Sequence, residues 1–181
     1  MGARLQAAAL MAVSALAAGA CASGDDAEAS PPDDAAEGVI EITGVDYAFT
    51  GVPATAEPGT ELEFVNESPD EVHELILARI PDEEDRDLAD LLELPPDEVQ
   101  GIVMPGLQGV SVAAPQEPGR VVNGELVLDE PGRYALLCLI PTGADPEEFM
   151  AAAAESDGPP EVDGGPPHTV EGMYAEIVVE D

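Results

Sequence analysis

From residue 38 onward the chain is a series of short apolar or alternating runs, each closed by Pro or Gly. Val39–Thr43, Val45–Phe49, Thr60–Asn66, Val72–Ile80, Gly109–Ala114, Val121–Leu128, Arg133–Ile140 and Met173–Val179 read as strands. Leu62 and Phe64 share a face of their run. In the last run Met173, Ala175, Ile177 and Val179 alternate with Tyr174, Glu176 and Glu180, the period of two of a half-buried strand. Glu57-Pro58-Gly59 and Asp129-Glu130-Pro131-Gly132 supply tight turns between them. Seven to eight short strands with turn signals predict an all-β fold, an antiparallel β-sandwich.

Two segments interrupt the pattern as insertions, at about 81–100 and 143–166. Pro81–Gln100 places Leu88, Leu91 and Leu92 at helical spacing behind an acidic start, then Pro95-Pro96 and a second acidic turn. The segment predicts one or two short surface helices. Asp145–Ser156 has Asp at the N-cap, Pro at the first helical position, two acids and an Ala run, a strong helix start. Gly158–Pro167 brings the chain back through a Gly/Pro-rich loop.

Residues 1–21 carry one Arg, an apolar run from Ala7 to Ala18 and small residues before Cys21. These features predict a secretory signal peptide, since a transmembrane helix needs about 20 apolar residues. Ala18-Gly19-Ala20-Cys21 resembles the bacterial lipobox, which implies a lipid on Cys21 and a protein anchored to the outer face of the cell membrane. The alternative is an ordinary signal peptide with an incidental cysteine. Residues 22–37, rich in Ala, Ser, Pro and Asp, predict a disordered acidic tether, which leaves 38–181 as the single domain. Once Cys21 is lipidated, Cys138 has no disulfide partner. A lone thiol in an oxidising compartment must be buried or ligated.

The chain of 181 residues has 39 acids against five arginines and no lysine, a formal charge of −34. Phosphate binding requires clustered cations, so nucleic acid is excluded as a partner. The charge reads first as a solvated surface; the sharper reading is steering of a cationic partner. Two histidines are too few for multicopper oxidase chemistry, which uses about ten imidazoles. His73-Glu74-Leu75-Ile76-Leu77 lacks the second His of a zincin motif. No phosphate loop, Gly-x-Ser-x-Gly elbow or EF-hand spacing occurs.

The scarce residues fall at telling places. His73 follows a strand ending in Phe64-Val65-Asn66. Cys138 ends the strand opened by Pro131-Gly132-Arg133-Tyr134. His168 and Met173 lie in Pro167-His168-Thr169-Val170-Glu171-Gly172-Met173, just ahead of the last strand. This arrangement resembles the cupredoxin family (plastocyanin, pseudoazurin and bacterial relatives), over residues 38–181 apart from the insertions. The resemblance implies a Greek-key sandwich holding one copper ion. His73 and His168 would be its imidazole ligands, Cys138 its thiolate, Met173 its weak axial thioether and Asn66 a residue fixing the ligand loop. Two imidazoles and a soft thiolate suit both Cu(II) and Cu(I). The gap of 30 positions between Cys138 and His168 far exceeds the family's few residues. Residues 143–166 must therefore run out and back, with their helix packed outside the site.

Taken singly, each ligand has a plainer reading: a surface or capping His73, an exposed His168, a core Met173 or a small buried Cys138. Their joint occurrence favours a metal, and the thioether favours copper over zinc. The expected function is a membrane-tethered carrier relaying single electrons to a redox protein partner, with no substrate bond made or broken. The alternatives are a metal-free interaction lipoprotein on the same sandwich and a copper storage or delivery protein.

Overall fold

Thr60, Leu62, Phe64 and Asn66 point inward while Glu61 and Glu63 stay in water, as their alternation predicts. The computed structural model describes residues 38–155 and 159–180. The expected signal peptide, the expected lipidation at Cys21 and the expected acidic tether fall outside the described residues. In chain order the strands are β1 (Val39–Val45), β2 (Ala48–Thr50), β3 (Thr55–Ala56), β4 (Thr60–Asn66), β5 (His73–Arg79), β6 (Leu107–Ala113), β7 (Arg120–Gly124), β8 (Val127–Leu128), β9 (Gly132–Leu137) and β10 (Tyr174–Val179). The helices are α1 (Leu88–Leu92), α2 (Pro96–Val103), α3 (Pro146–Glu155) and α4 (His168–Glu171), with a 3-10 turn at Met104–Gly106.

The strands form two sheets, one ordered β2-β1-β4-β8 and the other β3-β10-β9-β5-β6-β7. Ile42, Leu62 and Phe64 from the first pack against Leu75, Leu77, Tyr134, Leu136 and Ile177 from the second, so the predicted sandwich is present. Its sheets are mixed rather than wholly antiparallel. β1 runs parallel to β4, and β10 runs parallel to β3. A parallel pair needs a crossover between its strands, and here the chain passes through β2 and the second sheet's β3 before returning as β4.

Two expected strands are divided. Val45–Phe49 is broken by a two-residue hairpin turn, Asp46-Tyr47, between the paired Val45 and Ala48. Asp46 takes a positive φ of 43°, which Asp tolerates better than most residues. Val121–Leu128 is broken at Gly124, whose φ is 57°. A Cβ there would run into the Gln108 carbonyl oxygen. The chain leaves the second sheet at that glycine and joins the first as β8. β7 is exposed along its whole length at the sheet's edge.

The first insertion does more than decorate the surface. β5 is buried on both faces, because Leu88, Leu91 and Val103 of α1 and α2 cover Ile76, Ala78, Ala135 and Leu137 on the outer side of the sheet. That explains why Leu75-Ile76-Leu77-Ala78 is a continuous apolar run rather than an alternating one. In the second insertion, Asp145 Oδ1 accepts the backbone N–H groups of Glu147 and Glu148 at 2.9 and 3.0 Å, the cap its sequence predicts.

Tyr134 is fully buried. Its hydroxyl donates to the Glu130 carbonyl at 2.9 Å and receives the Glu130 N–H at 3.1 Å, which pins the Pro131-Gly132 turn to β9. Tyr134→Phe removes both bonds while keeping the ring. It should cost about 1–2 kcal/mol of stability, read as a lower urea midpoint with unchanged cooperativity.

Candidate metal centre

Each predicted ligand sits where backbone pairing leaves it little freedom. His73 opens β5 opposite Ala113 of β6. Cys138 follows β9, and its N–H donates to the Met173 carbonyl at 3.3 Å. The Thr169 N–H donates to the Cys138 carbonyl and the His168 N–H to the Ile140 carbonyl, both at 3.0 Å. His168 begins the single turn α4, which ends at Gly172 in the left-handed region, and the Met173 N–H donates back to the His168 carbonyl.

The out-and-back excursion is clipped at its neck. Pro141 bridges Pro167. The Thr142 N–H and hydroxyl both donate to the Pro166 carbonyl, at 2.9 and 2.8 Å, and the Gly165 N–H donates to the Thr142 carbonyl at 2.8 Å. The excursion's helix is not packed outside the site, as the sequence led us to expect. Phe149 of α3 is buried in one cluster with Val72, Cys138, Ile140 and Met173, so the insertion walls the thiol off from water.

Three donor atoms converge. His73 Nδ1 lies 3.2 Å from His168 Nδ1, and Cys138 Sγ lies 3.3 Å from His168 Nδ1. The ligand atoms of these three residues all fall within 4.8 Å of one another. Bonds of about 2.0 Å to nitrogen, about 110–120° apart, would separate two imidazole ligands by about 3.3–3.5 Å. His73, Cys138, His168 and Met173 are each fully buried. Met173 shares a close neighbour with His73: a Cβ on Gly44 would meet Met173 Cε at 3.2 Å and the His73 ring at 3.3 Å. The donor set and its spacing fit one copper ion.

The surrounding polar groups hold this arrangement. Asn66, fully buried, donates from Nδ2 to the carbonyls of Glu71 and Ala113 at 2.8 and 3.1 Å, and its Oδ1 accepts the Ser68 N–H at 2.9 Å. It therefore ties the end of β4 to the 67–72 loop and to the β6 residue opposite His73. The Glu74 N–H points at Cys138 Sγ at 3.5 Å, and Glu74 Oε1 accepts the Leu139 N–H at 3.0 Å. Tyr47 rests edge-on against the His168 ring, with centroids 5.0 Å apart. Its hydroxyl donates to Glu71 Oε1 at 3.1 Å.

The sequence reading missed Tyr47, Glu71, Glu74 and Gly44. Two of these left a trace in the sequence. Glu74 is the one acid inside an apolar run, and Gly44 is a glycine inside a strand, a usual mark of close approach.

Burial sets the protonation of the metal-free site. It lowers His73 to about 4, with His168 adding to the effect, and it lowers His168 against the opposing pull of Glu71 and Glu171. Burial also pushes the Cys138 thiol well above its usual range, with Glu74 adding to the rise. The site at neutral pH thus holds neutral imidazoles and a protonated thiol, and metal uptake must release the thiol proton.

No known family model matches the chain, and no curated protein matches it. Among solved structures it is similar to dithionite-reduced auracyanin from Roseiflexus castenholzii, with 15% identity, a TM-score of 0.44 and coverage of 81% of this chain and 99% of that one. It is similar to auracyanin B, with 18% identity, a TM-score of 0.43 and coverage of 82% and 93%. Auracyanin A, a "blue" copper protein of the green thermophilic photosynthetic bacterium Chloroflexus aurantiacus, gives 21% identity, a TM-score of 0.41 and coverage of 78% and 98%. The fold and the chemistry of the centre are read from this chain's own sheets and donor atoms.

Burial raises Glu74 to about 7, partly offset by the Leu139 N–H. Since its ordinary value is near 4.5, the native state holds this proton more tightly than the unfolded chain, and Glu74 adds stability as pH falls from 7 to 4.5. His73, lowered from 6.5 to about 4, does the reverse: its contribution is lost over that fall. Glu74→Gln removes the first effect and leaves the second. The metal-free variant should be more stable than wild type at pH 7 and lose urea midpoint more steeply between pH 7 and 5. Equal slopes for the two proteins would contradict the buried-carboxyl assignment.

Proposed function

We propose that this chain is a membrane-tethered, copper-binding electron carrier. The observation that carries the reading is the convergence of His73 Nδ1, Cys138 Sγ and His168 Nδ1 within 4.8 Å inside a dry core. When bound, copper supplies a one-electron Cu(II)/Cu(I) couple at this centre. His73, His168 and Cys138 would hold the ion, with the Met173 thioether as a weaker additional donor. Cross-strand bonds fix the donor positions in advance, so little rearrangement accompanies a change of charge. Phe149, Val72 and Ile140 exclude water from the thiol. Nothing in this mechanism makes or breaks a substrate bond, and the partner is a redox protein.

The formal net charge of −34 and the acidic rim formed by Asp46, Asp70 and Glu71 beside Tyr47 favour a partner of cationic surface, with steering that weakens beyond a Debye length of about 10 Å at 0.1 M salt. A lipid on Cys21 would hold the domain at the outer face of the cell membrane, with residues 22–37 as spacer. Support for that comes from the apolar run ending in Ala18-Gly19-Ala20-Cys21. Cys21→Ser should release the protein from the membrane fraction, and unchanged retention would remove the anchor.

The full chain given Cu(II) should develop an intense visible thiolate-to-copper charge-transfer band that Cys138→Ser abolishes. A tight but colourless Cu(I) complex would instead indicate storage or delivery. A folded protein that retains no copper would indicate the metal-free module.

A further inference from the structure

His168 is fully buried, and its outer nitrogen has nowhere to go but one place. Nε2 lacks a hydrogen-bond partner, and so does the buried Oε2 of Glu71. These two atoms lie 3.6 Å apart, just beyond hydrogen-bond range. Everything else about Glu71 is already tied down. Its carbonyl accepts Asn66 Nδ2 at 2.8 Å, its N–H reaches Ser68 Oγ at 3.3 Å, and its Oε1 accepts the Tyr47 hydroxyl at 3.1 Å. Tyr47 also packs on the ring whose nitrogen is in question.

A neutral imidazole carries one proton. With Nδ1 among the converging donors, that proton belongs on Nε2, where it needs an acceptor. A buried N–H left without one forfeits its hydration with nothing in return, so closing a gap of a few tenths of an ångström is favoured. We propose that Glu71 is a positioning residue for His168: its Oε2 accepts the Nε2–H, fixes that tautomer and presents the Nδ1 lone pair inward, while Tyr47 holds the carboxylate through Oε1. The inference rests on the copper reading for its consequence. A carboxylate behind an imidazole makes the ligand nitrogen more basic, which favours Cu(II) over Cu(I) and lowers the reduction potential.

Two variants separate the acceptor from its charge. Glu71→Gln keeps an acceptor oxygen and the shape of the side chain, whereas Glu71→Leu removes the acceptor. In the metal-free, nitrogen-15-labelled chain, imidazole NMR should show His168 protonated at Nε2 in wild type and in E71Q, with that preference lost in E71L. With copper loaded, E71L should bind about 10- to 100-fold more weakly than wild type, and E71Q should show a raised reduction potential. A wild-type His168 protonated at Nδ1 overturns the proposal. So do an unchanged tautomer and affinity in E71L, or an unchanged potential in E71Q. The tautomer is read without metal, so a wild type that takes up no copper defeats the copper reading while this arm still decides the pairing.

Discussion

The centre depends on a short set of backbone hydrogen bonds that hold the end of β9 against the segment leading into β10. Thr169 to Cys138, His168 to Ile140, Thr142 to Pro166 and Met173 to His168 are all main-chain bonds. They place a thiol and an imidazole that are 30 residues apart side by side. Closing a longer loop costs only about 0.6 kcal/mol for each doubling of its length, and the neck bonds confine that cost to the excursion. The predicted ligands consequently sit at the ends of β5 and β9 and on the turn clipped to them, and Phe149 turns the excursion into part of the wall around them.

The polar groups around the donors form two layers with different tasks. Asn66 spends all three of its side-chain hydrogen bonds on backbone and fixes the 67–72 loop in space. Two acids flank the predicted ligands: Glu71 Oε2 lies 3.6 Å from His168 Nε2, and the Glu74 carboxylate, which accepts the Leu139 N–H, adds to the rise of the Cys138 thiol. Both lie within a chain whose surface is already strongly negative. A cation entering this site meets a field that favours it, and the same field disfavours the electron that would reduce it.

Much of this was legible in the sequence, for physical reasons. Alternation in Thr60–Asn66 and in the last strand follows directly from one wet and one dry face, and Asp145-Pro146 caps a helix by local chemistry. His73, Cys138, His168 and Met173 stood out because each is a rare residue at a strand end. What the sequence concealed depends on distant partners. The strand break at Gly124 is forced by the Gln108 carbonyl, and the parallel pairing of β1 with β4 is decided by where the intervening chain goes. The covering of β5 by α1 and α2 and the meeting of Glu71 with His168 join residues with no sequence signal linking them.

β7 leaves a row of backbone donors and acceptors open along the edge of the larger sheet, with Val121 and Val122 about half exposed. An edge of this kind is a template for pairing with another molecule. Arg120 is the single charged side chain on that strand, so local gatekeeping is thin. Mutual repulsion between whole molecules at −34 takes over that duty. Solubility here is thus a collective property of the acidic coat, and it weakens wherever counterions shorten the reach of that repulsion.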